Sequence, residues 1–217
     1  MFVFYFIIGC FLGSFFDCQV ERLTKEIPLL TNRSFCLACQ HPLKFFDLIP
    51  IFSLLILSGK CRYCQQTISK FHLVSEIFCG FTSVLYYFQI ITFRQFVIIS
   101  ALYFISYCDY QSKSFPLIVW LVPFIVVIPS ASFFPVPFLL LIISILCQKI
   151  NIGIGNGDFL VIALLSSDLK LVQLLWLVQI ASALGIIYFF LQKKNESIPF
   201  VPFLAISYLI ILINNYL

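Results

Sequence analysis

Two aspartates in this chain stand where a carboxylate is costly to keep. Asp158 closes the run Gly153-Ile154-Gly155-Asn156-Gly157-Asp158, just before the apolar stretch 159–165. Asp109 sits in Tyr107-Cys108-Asp109-Tyr110, at the end of another apolar stretch. Charged groups beside such segments are candidates for function, because removing them from water is expensive. Gly155 and Gly157 permit positive φ and close approach of a second backbone, so a peptide could lie against Asp158. Two carboxylates brought together cannot both ionise cheaply, which leaves one protonated and one charged. The charged member would draw a proton from water while the neutral one protonates an amide oxygen. That is peptide hydrolysis by general acid–base catalysis, with neither a covalent intermediate nor a catalytic metal. Singly, Asp158 also reads as a helix cap and Asp109 as a turn residue. The glycine run lacks the Lys-Ser/Thr continuation of a nucleotide loop. Spacing alone does not bring the two aspartates together.

A second constellation is Cys36-Leu37-Ala38-Cys39 and Cys61-Arg62-Tyr63-Cys64, separated by 21 residues. A two-residue spacer lets both thiolates of a pair reach one side of a turn, and two pairs complete a tetrahedron around zinc. Four sulfur ligands leave no open position, so the predicted zinc is structural: it clamps a loop too small to build its own core. Knuckles without metal, or a redox pair, are the other readings. Arg33, Lys60 and Arg62 supply positive charge near the thiolates. His41 and His72 are expected at the surface. Cys10, Cys18, Cys79, Cys108 and Cys147 lie in or beside apolar segments and read as small hydrophobes.

The elements that must position these residues follow from composition. Of 217 residues, 62% are hydrophobic and 10% charged, with 27 Phe; the mean hydropathy is +1.07. That is too much apolar surface for a soluble domain and calls for lipid as solvent. A spanning helix takes about 20 apolar residues to cross ~30 Å of hydrocarbon. The windows 1–20, 71–93, 171–191 and 199–217 approach or reach that length, and shorter runs lie at 95–108, 116–129, 136–147 and 159–165. The expected fold is therefore all-α, a polytopic transmembrane helix bundle of about eight spans. Its expected divisions are a first helix at 1–20, a small cytoplasmic cysteine/zinc subdomain at 21–70 and a membrane core at 71–217. The first window lacks a basic start and a small-residue cleavage site, so it is expected to be retained. Placing the loop after it in the cytoplasm puts eleven of the 13 Lys and Arg inside, leaving only Arg94 and Lys170 outside. Both Asp109 and Asp158 then fall at cytoplasmic helix ends. The modest net charge of +4 carries no nucleic-acid signature, and no internal repeat stands out. Within the loop, 48–57 is apolar but too short to cross, suited to the membrane interface or the underside of the bundle.

At these residues the chain resembles the prepilin peptidases, membrane aspartic peptidases with a Gly-x-Gly-Asp motif. Gly13-Ser14-Phe15 with Arg22-Leu23 is similar to the first-helix pattern of that family. The stretch from Arg33 through Cys36, Cys39, Asp47-Leu48-Ile49-Pro50 and Gly59-Lys60-Cys61-Arg62-Tyr63-Cys64 is similar to its cysteine domain. Ser75-Glu76, Asp109 with Pro116, and Gly155-x-Gly157-Asp158 complete the likeness. The resemblance implies cleavage of type IV prepilin or pseudopilin precursors after a glycine that ends a basic leader, at the cytoplasmic face of a bacterial inner membrane. It also implies N-methylation of the new terminus from S-adenosylmethionine, with Glu76 and Asp17 as supporting candidates. The compact, apolar form resembles versions serving competence pseudopili. Asp17 stands where the family usually has Asn, and Leu160 where Lys is frequent. Gln40 and Gln65 follow the cysteine pairs where glycine is common. Two readings from other classes compete: a proton-coupled transporter or channel using the buried carboxylates, and an assembly scaffold that keeps the fold without turnover. The substrate, the oligomeric state and the protonated aspartate are not specified by the sequence.

Overall fold

The structure is a computed structural model that describes residues 1–25, 27, 34–130, 135–150, 156–191 and 198–216. Among these the regular elements are helices, and they divide into two compact units, Met1–Thr92 and Phe93–Leu217.

In the first unit, α1 (Phe2–Thr24) runs antiparallel to α3 (Lys70–Tyr87), and a loop bearing the short helix α2 (Phe52–Ile56) joins them. Small residues let the two backbones approach, as membrane helix pairs require where lipid removes any hydrophobic drive. A Cβ added at Gly13 would lie 2.7 Å from the Ser75 carbonyl oxygen, and one at Gly80 would lie 2.8 Å from Cys10 Sγ. This close seam places α3 with α1 in the unit that ends at Thr92.

The second unit holds α4 (Phe93–Ser112), α5 (Leu117–Val127), α6 (Pro135–Ile150), α7 (Asn156–Leu165), α8 (Leu171–Leu191) and α9 (Val201–Tyr216). Helix α4 packs on α5 and α9, α7 on α5 and α6, and α8 on α9. Its core includes Ile98, Ile105, Leu164, Leu165, Leu177 and Tyr208, all essentially without exposure. Lys113, in the left-handed region at φ 54, ends α4, and Pro116 opens α5.

The eight apolar windows thus appear as α1 and α3 to α9. Two of these, α1 and α8, are long and apolar enough to cross a membrane. Helices α5 and α7 are about 15 Å long, roughly half a hydrocarbon thickness.

Candidate functional site

Asp109 lies in the last turn of α4, buried, and Asp158 in the first turn of α7, half-buried. The second unit brings them within electrostatic reach of each other. Asp109 Oδ2 accepts the Val201 N–H at 3.0 Å, and the Phe200 N–H also donates to this carboxylate. Both donors stand at the opening of α9, where unsatisfied N–H groups and the helix dipole favour an anion. Asp158 is held from below by packing: Trp120 Nε1 donates to the Leu160 carbonyl at 2.6 Å, tying α5 to the first turns of α7. A Cβ on Gly157 would come 2.8 Å from Phe115 Cε1, so the absent side chain admits the Phe115 ring beside Asp158. Gly153 and Gly155 lie outside the described residues.

The four cysteines of the first unit converge. All four Sγ atoms lie within 4.8 Å of one another, with Cys36 and Cys64 3.9 Å apart. Tetrahedral zinc at ~2.3 Å from each sulfur requires sulfurs about 3.8 Å apart, so the set fits a metal ion. The backbone around them repeats at an offset of 25 residues, a duplication the sequence did not reveal. Cys36 N donates to His41 O at 3.0 Å and Cys61 N to Gln66 O at 2.9 Å. Gln40 N returns to Cys36 O at 2.7 Å and Gln65 N to Cys61 O at 3.0 Å. Gln40 and Gln65 occupy the left-handed region at φ 56 and 59, which is the physical reason glycine suits these positions. Backbone N–H groups of Cys64 and Tyr63 pull the Cys61 thiol down to about 7. The His41 and Tyr63 rings meet across the two knuckles, centroids 3.7 Å apart and tilted by 38°. Asp47 joins the second knuckle to the turn before α2, accepting Arg62 Nη2 and Nε at 2.8 Å and the Lys44 N–H at 3.1 Å.

Asp17 and Glu76 meet on the facing sides of α1 and α3. Asp17, nearly without exposure, pairs with His72 Nδ1 and lies 3.4 Å from Ser75 Oγ. His72 is also 3.6 Å from Glu21, so its expected surface role is overturned: a buried carboxylate needs a partner, and the imidazole supplies one. Glu76 accepts the Ile51 N–H at 2.6 Å and the Ser14 hydroxyl.

Sequence reading missed a third polar cluster at the other ends of the second unit's helices. Asp168 Oδ1 accepts Arg94 Nε at 2.7 Å, while Oδ2 accepts the Tyr208 hydroxyl at 2.9 Å and Gln95 Nε2 at 3.3 Å. The available signal was that Arg94 and Asp168 both border apolar segments on the same predicted face.

Residues 7–90 match the family described as Bacterial Peptidase A24 N-terminal domain. A prepilin leader peptidase/N-methyltransferase from Bacillus subtilis is 25% identical over 92% of this chain and 89% of its own length. The enzyme of that name from Neisseria gonorrhoeae is 27% identical over 88% of this chain and 74% of its own. The chain is related to the prepilin leader peptidases. One from Vibrio cholerae is 34% identical, but over 33% of this chain; that match spans about a third, 31%, of the relative's length. No solved structure matches. The family match thus carries the α1–α3 pair and the cysteine loop, while the two long matches among these prepilin leader peptidases also take in Asp109 and Asp158.

Proposed function

We propose that this chain is a multi-pass membrane aspartic endopeptidase that cleaves type IV prepilin-like precursors after a leader glycine, at the cytoplasmic face of a bacterial inner membrane. The observation that carries the reading is the approach of Asp109 to Asp158 in one unit, supported by the relatives' names. Asp109, with two backbone donors, holds the charge; Asp158, facing that charge, holds the shared proton. Water between them attacks the scissile carbonyl carbon and gives its proton to Asp109, while Asp158 protonates the carbonyl oxygen. The tetrahedral intermediate then collapses: the C–N bond breaks, the leaving amine takes the proton from Asp109, and Asp158 recovers its own.

The knuckles hold a structural zinc through Cys36, Cys39, Cys61 and Cys64, with all four positions filled by thiolate and none open for catalysis. The relatives' names also carry an N-methyltransferase, for which S-adenosylmethionine would supply the methyl group. Asp17 and Glu76, the candidates to support that step, are bonded to His72, Ser75, Ser14 and the Ile51 backbone. The same bonds join α1, α3 and the loop between them.

The test is Asp109→Asn and Asp158→Asn in purified, reconstituted protein offered a prepilin-like precursor, with cleavage read by mass. Each variant should lose at least about 10³-fold in rate, the scale of removing a general acid or base, while inserting normally. Full cleavage by either one would remove that residue from the reaction.

A further inference from the structure

The loop of the first unit exposes a cluster of large apolar side chains that the peptidase reading does not use. Phe45 and Phe46 are 75% and 71% exposed, and Phe52, Leu55 and Ile56 are 64%, 63% and 76% exposed. So many exposed large apolar side chains on a short loop segment mark a contact site.

Its height along the helices is fixed by hydrogen bonds. The Ile51 N–H, one residue before α2, is bound to Glu76, and Glu76 in turn receives the Ser14 hydroxyl of α1. Ser14 lies near the end of the apolar run of α1, which stops at Phe16 before Asp17. At the same level Phe15 on α1 and Val74 and Ile77 on α3 are exposed. The Ile51–Glu76 bond thus ties the start of α2 to the level at which the apolar surface of the helix pair ends. Ile51 has φ 62, and the Phe52 N–H returns to Pro50 O at 2.6 Å, a tight three-residue turn that is strained for a β-branched residue. The Glu76 bond holds the turn and launches α2. Lys44 and Lys60 border the cluster and are exposed, with charge suited to anionic headgroups.

We propose that the segment from Phe45 to Ile56 is an interfacial dip, with Phe45, Phe46, Phe52, Leu55 and Ile56 seated at the headgroup–acyl boundary of an anionic phospholipid bilayer and Lys44 and Lys60 at its phosphates. It rests on the reading of α1 and α3 as membrane-embedded. A short apolar segment with basic flanks suits such a plane. The dip anchors the knuckles to the membrane surface beside the helix pair.

The full-length protein is reconstituted into vesicles of phosphatidylcholine and phosphatidylglycerol, with p-benzoylphenylalanine replacing Phe46, Phe52, Phe81 or Tyr63 in turn. After irradiation, lipid adducts are identified by mass. Phe81, exposed midway along α3, reports the membrane reading itself, and Tyr63 reports the knuckle surface. Adduct yields at Phe46 and Phe52 should match that at Phe81 and far exceed that at Tyr63. Lipid adducts at Phe81 alone would overturn the dip while sparing the membrane reading; protein–protein adducts at Phe52 would overturn it in favour of a second copy. No lipid adduct at Phe81 would sink the membrane reading, and the dip with it.

Discussion

At the scale of single residues, Gln40 and Gln65 show what a turn asks of its sequence. Each sits in the left-handed region one place after a cysteine pair, where an L side chain costs about 1–2 kcal/mol. Replacing both with Gly should stabilise the metal-loaded loop. The gain should be about 0.5–1 kcal/mol each, because the larger unfolded-state entropy of glycine offsets part of the relief. Competition with a metal chelator, followed through thermal unfolding, would measure it. A gain just as large from Gln→Ala would show that the turn conformation is not the cause. The aspartates are another matter. Their types and glycine context were legible in sequence, whereas the donors on Asp109 were not. Val201 and Phe200 lie some ninety residues away, and nothing local in either stretch encodes the other.

At the scale of elements, the cysteine loop and the Arg94–Asp168 cluster hold helices by different means. The loop has few buried apolar side chains, and order there comes from four thiolates and paired backbone turns. Purified protein should therefore carry about one zinc per chain, the stoichiometry of a four-thiolate site. Cys36→Ser or prolonged chelation should open the loop to protease while leaving the second unit protected. A metal-free wild type with the loop still resistant would reject the zinc. In the second unit, Asp168 is nearly buried and joins α4, the end of α7 and α9. Asp168→Ala leaves Arg94 without its carboxylate. The loss should be about 3 kcal/mol, at the low end for a broken buried pair because Arg94 is partly solvated. A fall in melting temperature in detergent would report it, and an unchanged melting temperature would mean that water replaces the carboxylate. Sequence offered only the position of Arg94 and Asp168 beside apolar segments on one predicted face, and not their pairing. Hydropathy reads one segment at a time, and the cluster is built from three.

At the scale of the whole molecule, the sequence was most readable where the physics is one-dimensional. A bilayer asks each crossing segment for length and apolarity, and those demands are written locally. The window 171–191 reappears with the same bounds as α8, and 71–93 resolves into α3 and the start of α4 at Phe93. Packing partners, the knuckle duplication and the tight turn at Ile51 depend on what meets what in space. His72 illustrates the difference: in sequence it is a lone imidazole near a loop, and in the fold it pairs with Asp17.

On the proposed reading, the hold of α9 on Asp109 gives residues near 200 a say in chemistry encoded far upstream. A version ending before Val201 would retain both acids, the glycine motif and every cysteine of the knuckles, and would satisfy any search for them. It would nonetheless leave Asp109 without its amide clasp, and it should be inert toward a precursor even when it inserts and accumulates. Processing by such a shortened chain would show the clasp to be dispensable. On the proposed reading, an intact motif alone would not make a competent active centre.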